Sequence, residues 1–157
     1  MKKNLVIALL VVVIFLGIGA FFTRRAYHRS MTIEAVRLDP QCTIYLGGGG
    51  NSLALTSEDG STTLLVDTKM KIAAKELRKE ITAPTVILVN THNHRDHREG
   101  NALFENARLI AGAYTPEQWR QGNASSRYPD ETVKPNEEKI LHIGTETVHV
   151  RTMGRTH

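Results

Sequence analysis

The sequence predicts an α/β domain behind an apolar helix, and three observations carry that prediction. A short β-branched run, Thr85-Val86-Ile87-Leu88-Val89, stands directly before the cluster Thr91-His92-Asn93-His94-Arg95-Asp96-His97. An earlier run, Thr62-Thr63-Leu64-Leu65-Val66, is separated from it by a helical pattern, so the order is strand, helix, strand. That order implies a parallel crossover, with helices covering a sheet. The third observation is an unbroken apolar stretch of 18 residues, Leu5 to Phe22, with Gly17 and Gly19 counted as apolar.

The apolar stretch comes first in the chain. Its length lies at the lower edge of a membrane-spanning helix and above a typical signal-peptide core. Lys2 and Lys3 precede it and Thr23-Arg24-Arg25 follows it. No polar face exists, which argues against a core helix of a soluble domain. The expectation is an uncleaved membrane anchor or signal segment with basic flanks over residues 1–30. The membrane is met through residues 5–22, and the domain over 31–157 is exported, to the periplasm or outside the cell. A leader cut near Ile18-Gly19-Ala20 would instead release a secreted form.

The formal charge of +4 belongs to this segment. Five of the twenty basic residues lie before residue 30 and no acidic residue precedes Glu34, which leaves 15 basic against 16 acidic residues over 31–157. A domain of net charge −1 presents no basic face for nucleic acid, so no nucleic-acid partner is expected. Cys42 is the only cysteine, so it forms no internal disulfide and is expected to pack as a small apolar residue in a strand.

From residue 27 to 37 the chain is mixed in character and reads as a tether or a first strand. Cys42-Thr43-Ile44-Tyr45-Leu46 is β-rich, Gly47 to Gly50 is a turn, and Ser52-Leu53-Ala54-Leu55-Thr56 alternates as a strand does. The four glycines open into a strand, not a helix, and no Lys precedes a Ser or Thr there, so they are no phosphate cradle. A flexible turn between paired strands is expected. Glu58-Asp59-Gly60-Ser61 carries a hairpin signal ahead of the strand over 62–66.

Met70 to Ile81 is an amphipathic helix. Met70, Ala73, Ala74, Leu77 and Ile81 recur at three- and four-residue steps, and lysines and glutamates take the other face. Pro84 closes it, and the strand from Thr85 delivers the histidine cluster. Glu99 to Ala107 then reads as a short helix burying Leu103 and Phe104, and Arg108 to Ala111 as a strand. Thr115-Pro116-Glu117-Gln118 is a helix start with Thr as cap and Pro in the first position. That helix buries Trp119 and ends at Gly122. Residues 123–138 read as polar loop, with a glycosylation-type triplet at Asn123-Ala124-Ser125. A hairpin around Gly144 joins strands over 139–143 and 145–150, with His142 and His149 on its surface.

The cluster after the strand is where chemistry concentrates. Histidine is the commonest metal ligand, and His with Asp suits zinc. His92 and His94 point the same way on an extended segment, and His94 and His97 share a face if a helix starts there. A strand end that breaks into a helix therefore aims His92, His94, Asp96 and His97 into one pocket. Active-site loops of such sheets lie at the C-terminal ends of strands, where this cluster falls and where Asp67 ends the preceding strand.

His92-x-His94-x-Asp96-His97 resembles the signature of the metallo-β-lactamase superfamily. Leu64-Leu65-Val66-Asp67-Thr68 resembles that family's strand ending in Asp, and Gly154-Arg155-Thr156-His157 the segment carrying its next metal-binding His. The resemblance runs from about Ile44 to His157. It implies the N-terminal half of an αββα sandwich, with the C-terminal half of the family domain lying past His157. It also implies that His92, His94 and His157 hold one zinc ion, and that Asp96 and His97 belong to a second. Iron or manganese fits the same donors. Asp96 is then the residue that orients the nucleophilic water or moves its proton. Asp67 either fixes the tautomer of a ligating imidazole or caps the strand-to-helix turn.

The implied activity is that of a zinc-dependent hydrolase. Its metal-bound hydroxide attacks the ester, thioester, lactone or lactam carbonyl of a small-molecule substrate. Two other readings stand beside it: a truncated, inactive metal-binding fragment, and an iron redox protein on the same scaffold. One position departs from the family pattern. Lys69 follows the Asp-Thr pair where the family has Gly, which places a cation near the pocket.

Overall fold

The structure is a computed structural model and describes residues 2–121 and 127–153, with side chains from residue 9 onward. Helix α1 (Lys2–Ser30) continues without a break through the apolar stretch and its basic flank. Its 22-residue segment Leu9–Ser30 is long and apolar enough to cross a membrane, and none of it is buried against the rest of the chain. The tether expected after the apolar stretch is thus helical as far as Ser30.

Four strands follow as an antiparallel meander: β1 (Ile33–Arg37), β2 (Cys42–Gly47), β3 (Ser52–Thr56) and β4 (Thr62–Val66). The β3–β4 hairpin closes as its sequence predicts. Asp59 accepts from Ser57 Oγ at 2.6 Å and from the Ser61 amide at 2.9 Å, and Gly60 takes a positive φ of 72°. Helix α2 (Lys71–Glu80) then crosses over to β5 (Thr85–Val89), which pairs parallel with β4. Strands β6 (Arg108–Gly112) and β7 (Glu131–Val133) extend the sheet, also in parallel, to seven strands in sequence order. Strand β7 lies inside the segment expected as polar loop; three residues with one buried apolar side chain, Val133, leave no periodicity to read.

Short helices sit between these strands. Helix α3 (Arg95–Arg98) is followed by a 3-10 turn, Glu99–Leu103, shorter than the helix expected there. Helix α4 (Pro116–Arg120) starts as predicted, with Thr115 Oγ1 accepting from the Gln118 amide at 3.2 Å and Gln118 Oε1 accepting from the Thr115 amide at 2.9 Å. Strands β8 (Glu138–Ile143) and β9 (Glu146–Arg151) form a separate hairpin around Gly144. The expected end of α4 at Gly122 and the triplet at 123–125 lie outside the described residues.

The strand alternation divides the core in two. Leu65, Leu88, Leu109 and Ala111 face α2 and α4 and pack with Leu77, Phe104 and Trp119. Leu64, Val89 and Ile110 face the other way and meet Val133 with Leu141 and Ile143 of the hairpin. Both faces of β4, β5 and β6 are therefore apolar, which is why these strands read as continuous hydrophobic runs.

Candidate metal centre

Strands β4 and β5 run parallel, so their C-terminal ends lie side by side, and Asp67 and Asn90–Thr91 emerge together. The Asp67 amide donates to Val89 O at 2.9 Å. Asp67 is 2% exposed and holds φ at +59°, a left-handed conformation that L residues adopt at a cost. Its carboxylate collects donors from the next strand end. The Thr91 amide binds Oδ1 at 2.9 Å, Thr91 Oγ1 binds Oδ2 at 2.6 Å, and His97 Nδ1 lies 2.6 Å from Oδ2. Asp67 thus binds an imidazole and the backbone after β5; it does not cap the turn into α2, whose N-cap position, Met70, has no side-chain hydrogen bond.

These contacts assign tautomers. The Asp67 carboxylate accepts only, so His97 carries its proton on Nδ1 and turns Nε2 the other way. Thr91 spends its hydroxyl proton on Asp67, so its oxygen accepts from His92 Nδ1, 3.0 Å away. Asp67 thus orients two imidazoles, one directly and one through Thr91. Its carboxylate also holds the His97 imidazolium above its usual range, against an opposing effect of burial.

The chain bends through Thr91–Asn93 after β5, His94 caps α3 in an extended conformation with ψ at 150°, and the chain turns helical at Arg95. This break brings the rings together. The His92 centroid lies 4.5 Å from that of His94 and 4.0 Å from that of His97. Asp96 Oδ2 stands 3.6 Å from His97 Nε2. His157 lies outside the described residues. Among the described residues no group of three or more His, Cys, Asp or Glu side chains is placed to hold a metal ion. The residue types gathered here, imidazoles with one carboxylate beside them, are those a borderline divalent ion takes as donors.

Below the rings, a polar knot locks the turn. Thr68 Oγ1 donates to Asn101 Oδ1 at 2.7 Å, and Asn101 Nδ2 to Asn90 Oδ1 at 2.7 Å. Asn90 Nδ2 and the Thr68 amide both donate to His97 O, at 2.9 and 2.7 Å. Gly100 fits between Thr68 and Ala74 so closely that a Cβ would collide with the Thr68 carbonyl. Arg98 is fully buried, stacks over Trp119 at 4.8 Å and donates from Nε to Asn93 O. Sequence reading missed Asn90, Gly100, Asn101 and Arg98 as supports. Their proximity to the cluster was the available signal.

The glycine loop, expected as a flexible turn, is instead packed against this site. The Gly50 amide donates to Asp96 O at 3.2 Å, and a Cβ on Gly50 would stand 2.8 Å from His97 Nε2. Lys69, the cation expected near the pocket, is fully buried and points into that loop. Burial pushes its ammonium down to about 8, against the opposing pull of Asp67. On the hairpin side, a cleft of about 490 Å³ lies between β4–β6 and β9, with His92 and His149 both lining it. His149 is a strand-surface residue as expected, hydrogen-bonded to Glu138 at 2.8 Å.

Solved metallo-β-lactamases share this architecture. The enzyme from Pontibacter korlensis superposes with a TM-score of 0.60 at 19% identity, over 75% of this chain and 59% of that one. This chain carries the metallo-β-lactamase fold. A Cronobacter sakazakii metallo-β-lactamase with a HARLDQ motif gives 0.58 at 19% identity, over 78% and 54%. FIM-1 from Pseudomonas aeruginosa, in its mono-zinc form, gives 0.52 at 16%, over 70% and 54%. The chain spans between half and three fifths of the length of these metallo-β-lactamases. No family model and no curated protein sequence matches it.

Proposed function

We propose that this chain belongs to a zinc-dependent hydrolase that attacks the carbonyl of an ester, thioester, lactone or lactam and cleaves its acyl C–O, C–S or C–N bond, anchored in a membrane by α1 with its domain exported. The observation that supports it most is the meeting of His92, His94 and His97 at the end of β5, with His97 Nδ1 held by Asp67 at 2.6 Å. In this reading His92, His94 and His157 hold one ion, and Asp96 and His97 contribute to a second. The mono-zinc form described for FIM-1 supports the choice of zinc on this fold.

When bound, zinc polarises the carbonyl oxygen and lowers the pKa of water from 15.7 to about 7. The chain's own residues do the rest. Asp67 and Thr91 hold the imidazoles in the tautomers that present Nε2. Asp96, half-exposed on the first turn of α3, orients the attacking water and accepts its proton. The glycine loop closes one side of the site and restricts approach to the other. Zinc content and hydrolysis of a panel of the four carbonyl classes test the reading on the intact protein. His92→Ala is expected to lose zinc, and Asp96→Ala to lose at least about 100-fold in rate. Variants that hydrolyse as fast as wild type would refute the assignment.

A further inference from the structure

Lys69 makes two sacrifices that an ordinary lysine does not. Its φ is +67°, a conformation glycine adopts freely and a side-chain-bearing residue only at a cost. Its ammonium is buried, which costs free energy unless every donor is used. All three donors are used, and all on backbone oxygens. Nζ lies 2.7 Å from Tyr45 O, 2.7 Å from Gly47 O and 2.8 Å from Gly50 O. The first two acceptors lie where the chain enters the four-glycine loop and the third where it leaves.

We propose that Lys69 is the positioning residue of the metal site: its ammonium ties the two ends of the glycine loop together and so fixes the loop's backbone as a wall against Asp96 and His97. The loop alone has little reason to keep one shape. Gly47, Gly48 and Gly49 hold φ of 78°, 69° and 97°, and glycine loses more conformational entropy on ordering than any other residue. The loop nevertheless packs without slack. A Cβ on Gly49 would lie 2.8 Å from Met70 Cγ and 3.0 Å from Asp96 Cβ, and Gly48 O accepts from the Met70 amide at 3.2 Å. Lys69 and Met70 therefore hold the loop from below while Gly50 binds Asp96 O from above. The proposal rests on the hydrolase reading for the site's purpose, but its geometry is independent of any bound ion.

Three measurements on the intact protein test it. The first is hydrogen exchange in wild type and Lys69→Met, read by mass spectrometry on peptides covering 46–51 and 85–89. Amides of the glycine loop are expected to exchange at least about tenfold faster in the variant, because two hydrogen bonds to a charged group are lost where the chain enters the loop and one where it leaves, while β5 is unchanged. Unchanged loop exchange, equal acceleration in β5, or an unfolded variant overturns the proposal, the last two by making Lys69 a prop of the whole core. The second is acetylation of wild-type amines at neutral pH: Lys69 is expected to react far more slowly than exposed Lys71 and Lys75, and equal rates overturn the proposal.

Cobalt substitution reads the effect on the site itself. The variant is expected to bind as much cobalt as wild type but to show shifted visible bands, since Asp96 and His97 lose their wall. Identical bands would overturn the positioning role. Wild type that binds no cobalt and no zinc would instead refute the hydrolase reading, and hydrogen exchange would still decide what Lys69 does.

Discussion

The two faces of the seven-stranded sheet are built to different standards. On the helix face, Leu65, Leu77, Leu109 and Trp119 are all fully buried, and the core is sealed by α2, α4 and the segment around Phe104. On the hairpin face, Leu64 and Ile110 are buried, but Val66, Val148 and Val150 remain half-buried around an open cleft. The candidate site lies at the rim where the two meet. Its rigid supports, Thr68, Lys69, Asn101 and Arg98, all come from segments that pack on the helix side. Its approach lies toward the cleft, past His92. The sealed face holds the imidazoles still, and the open face leaves room beside them.

That contrast can be broken most forcefully at Trp119. Its indole is fully buried, donates to Arg127 O at 2.7 Å and carries the Arg98 guanidinium. Trp119→Ala is expected to cost about 3–5 kcal/mol by urea unfolding, with faster proteolysis after Arg98. Gly100→Ala comes next. A Cβ there meets a backbone carbonyl that cannot yield cheaply, and about 1–3 kcal/mol of destabilisation is expected. A smaller effect depends on pH. Burial lowers Lys69 to about 8 in the folded chain, while the unfolded lysine titrates near 10.4. Between those values the unfolded state binds the extra proton, so wild type should gain stability relative to Lys69→Met as pH rises through this window. A flat difference across that window would contradict the buried ammonium. The smallest effect is expected on the open face: Val148→Ala should cost less than about 1 kcal/mol, because the half-exposed side chain loses little buried area. A Val148→Ala cost comparable to that of Trp119→Ala would erase the distinction between the faces.

Much of this was legible in the residues, and what was not has physical reasons. The strand-helix-strand order, the α4 cap and both hairpins follow from periodicity and turn chemistry, which are local. The gathering of His92, His94 and His97 follows from one strand end and one helix start. Asp67 was legible as a candidate because it ends the neighbouring strand, but its hydrogen bond to His97 depends on parallel pairing, which is not local. Strand β7 is too short to show a period. Lys69 read as a cation near the pocket, and only the fold shows it buried beneath four glycines. The glycine loop is the turn between paired strands that was expected, but its close packing was hidden for the same reason. Composition speaks for freedom, and the restraint comes from Lys69, Met70 and Asp96, which are 19 to 49 positions away along the chain.

The parallel crossover between β4 and β5 also has a kinetic consequence. The meander from β1 to β4 pairs neighbours through short turns, whereas joining β5 to β4 must first close the loop that contains α2. Chains with more distant pairings fold more slowly, and a chain made from its N-terminus exposes its meander first. Asp67 lies on one side of that crossover and His97 on the other. The carboxylate therefore waits for the strand that brings its imidazole, and this pair forms only after the meander is in place.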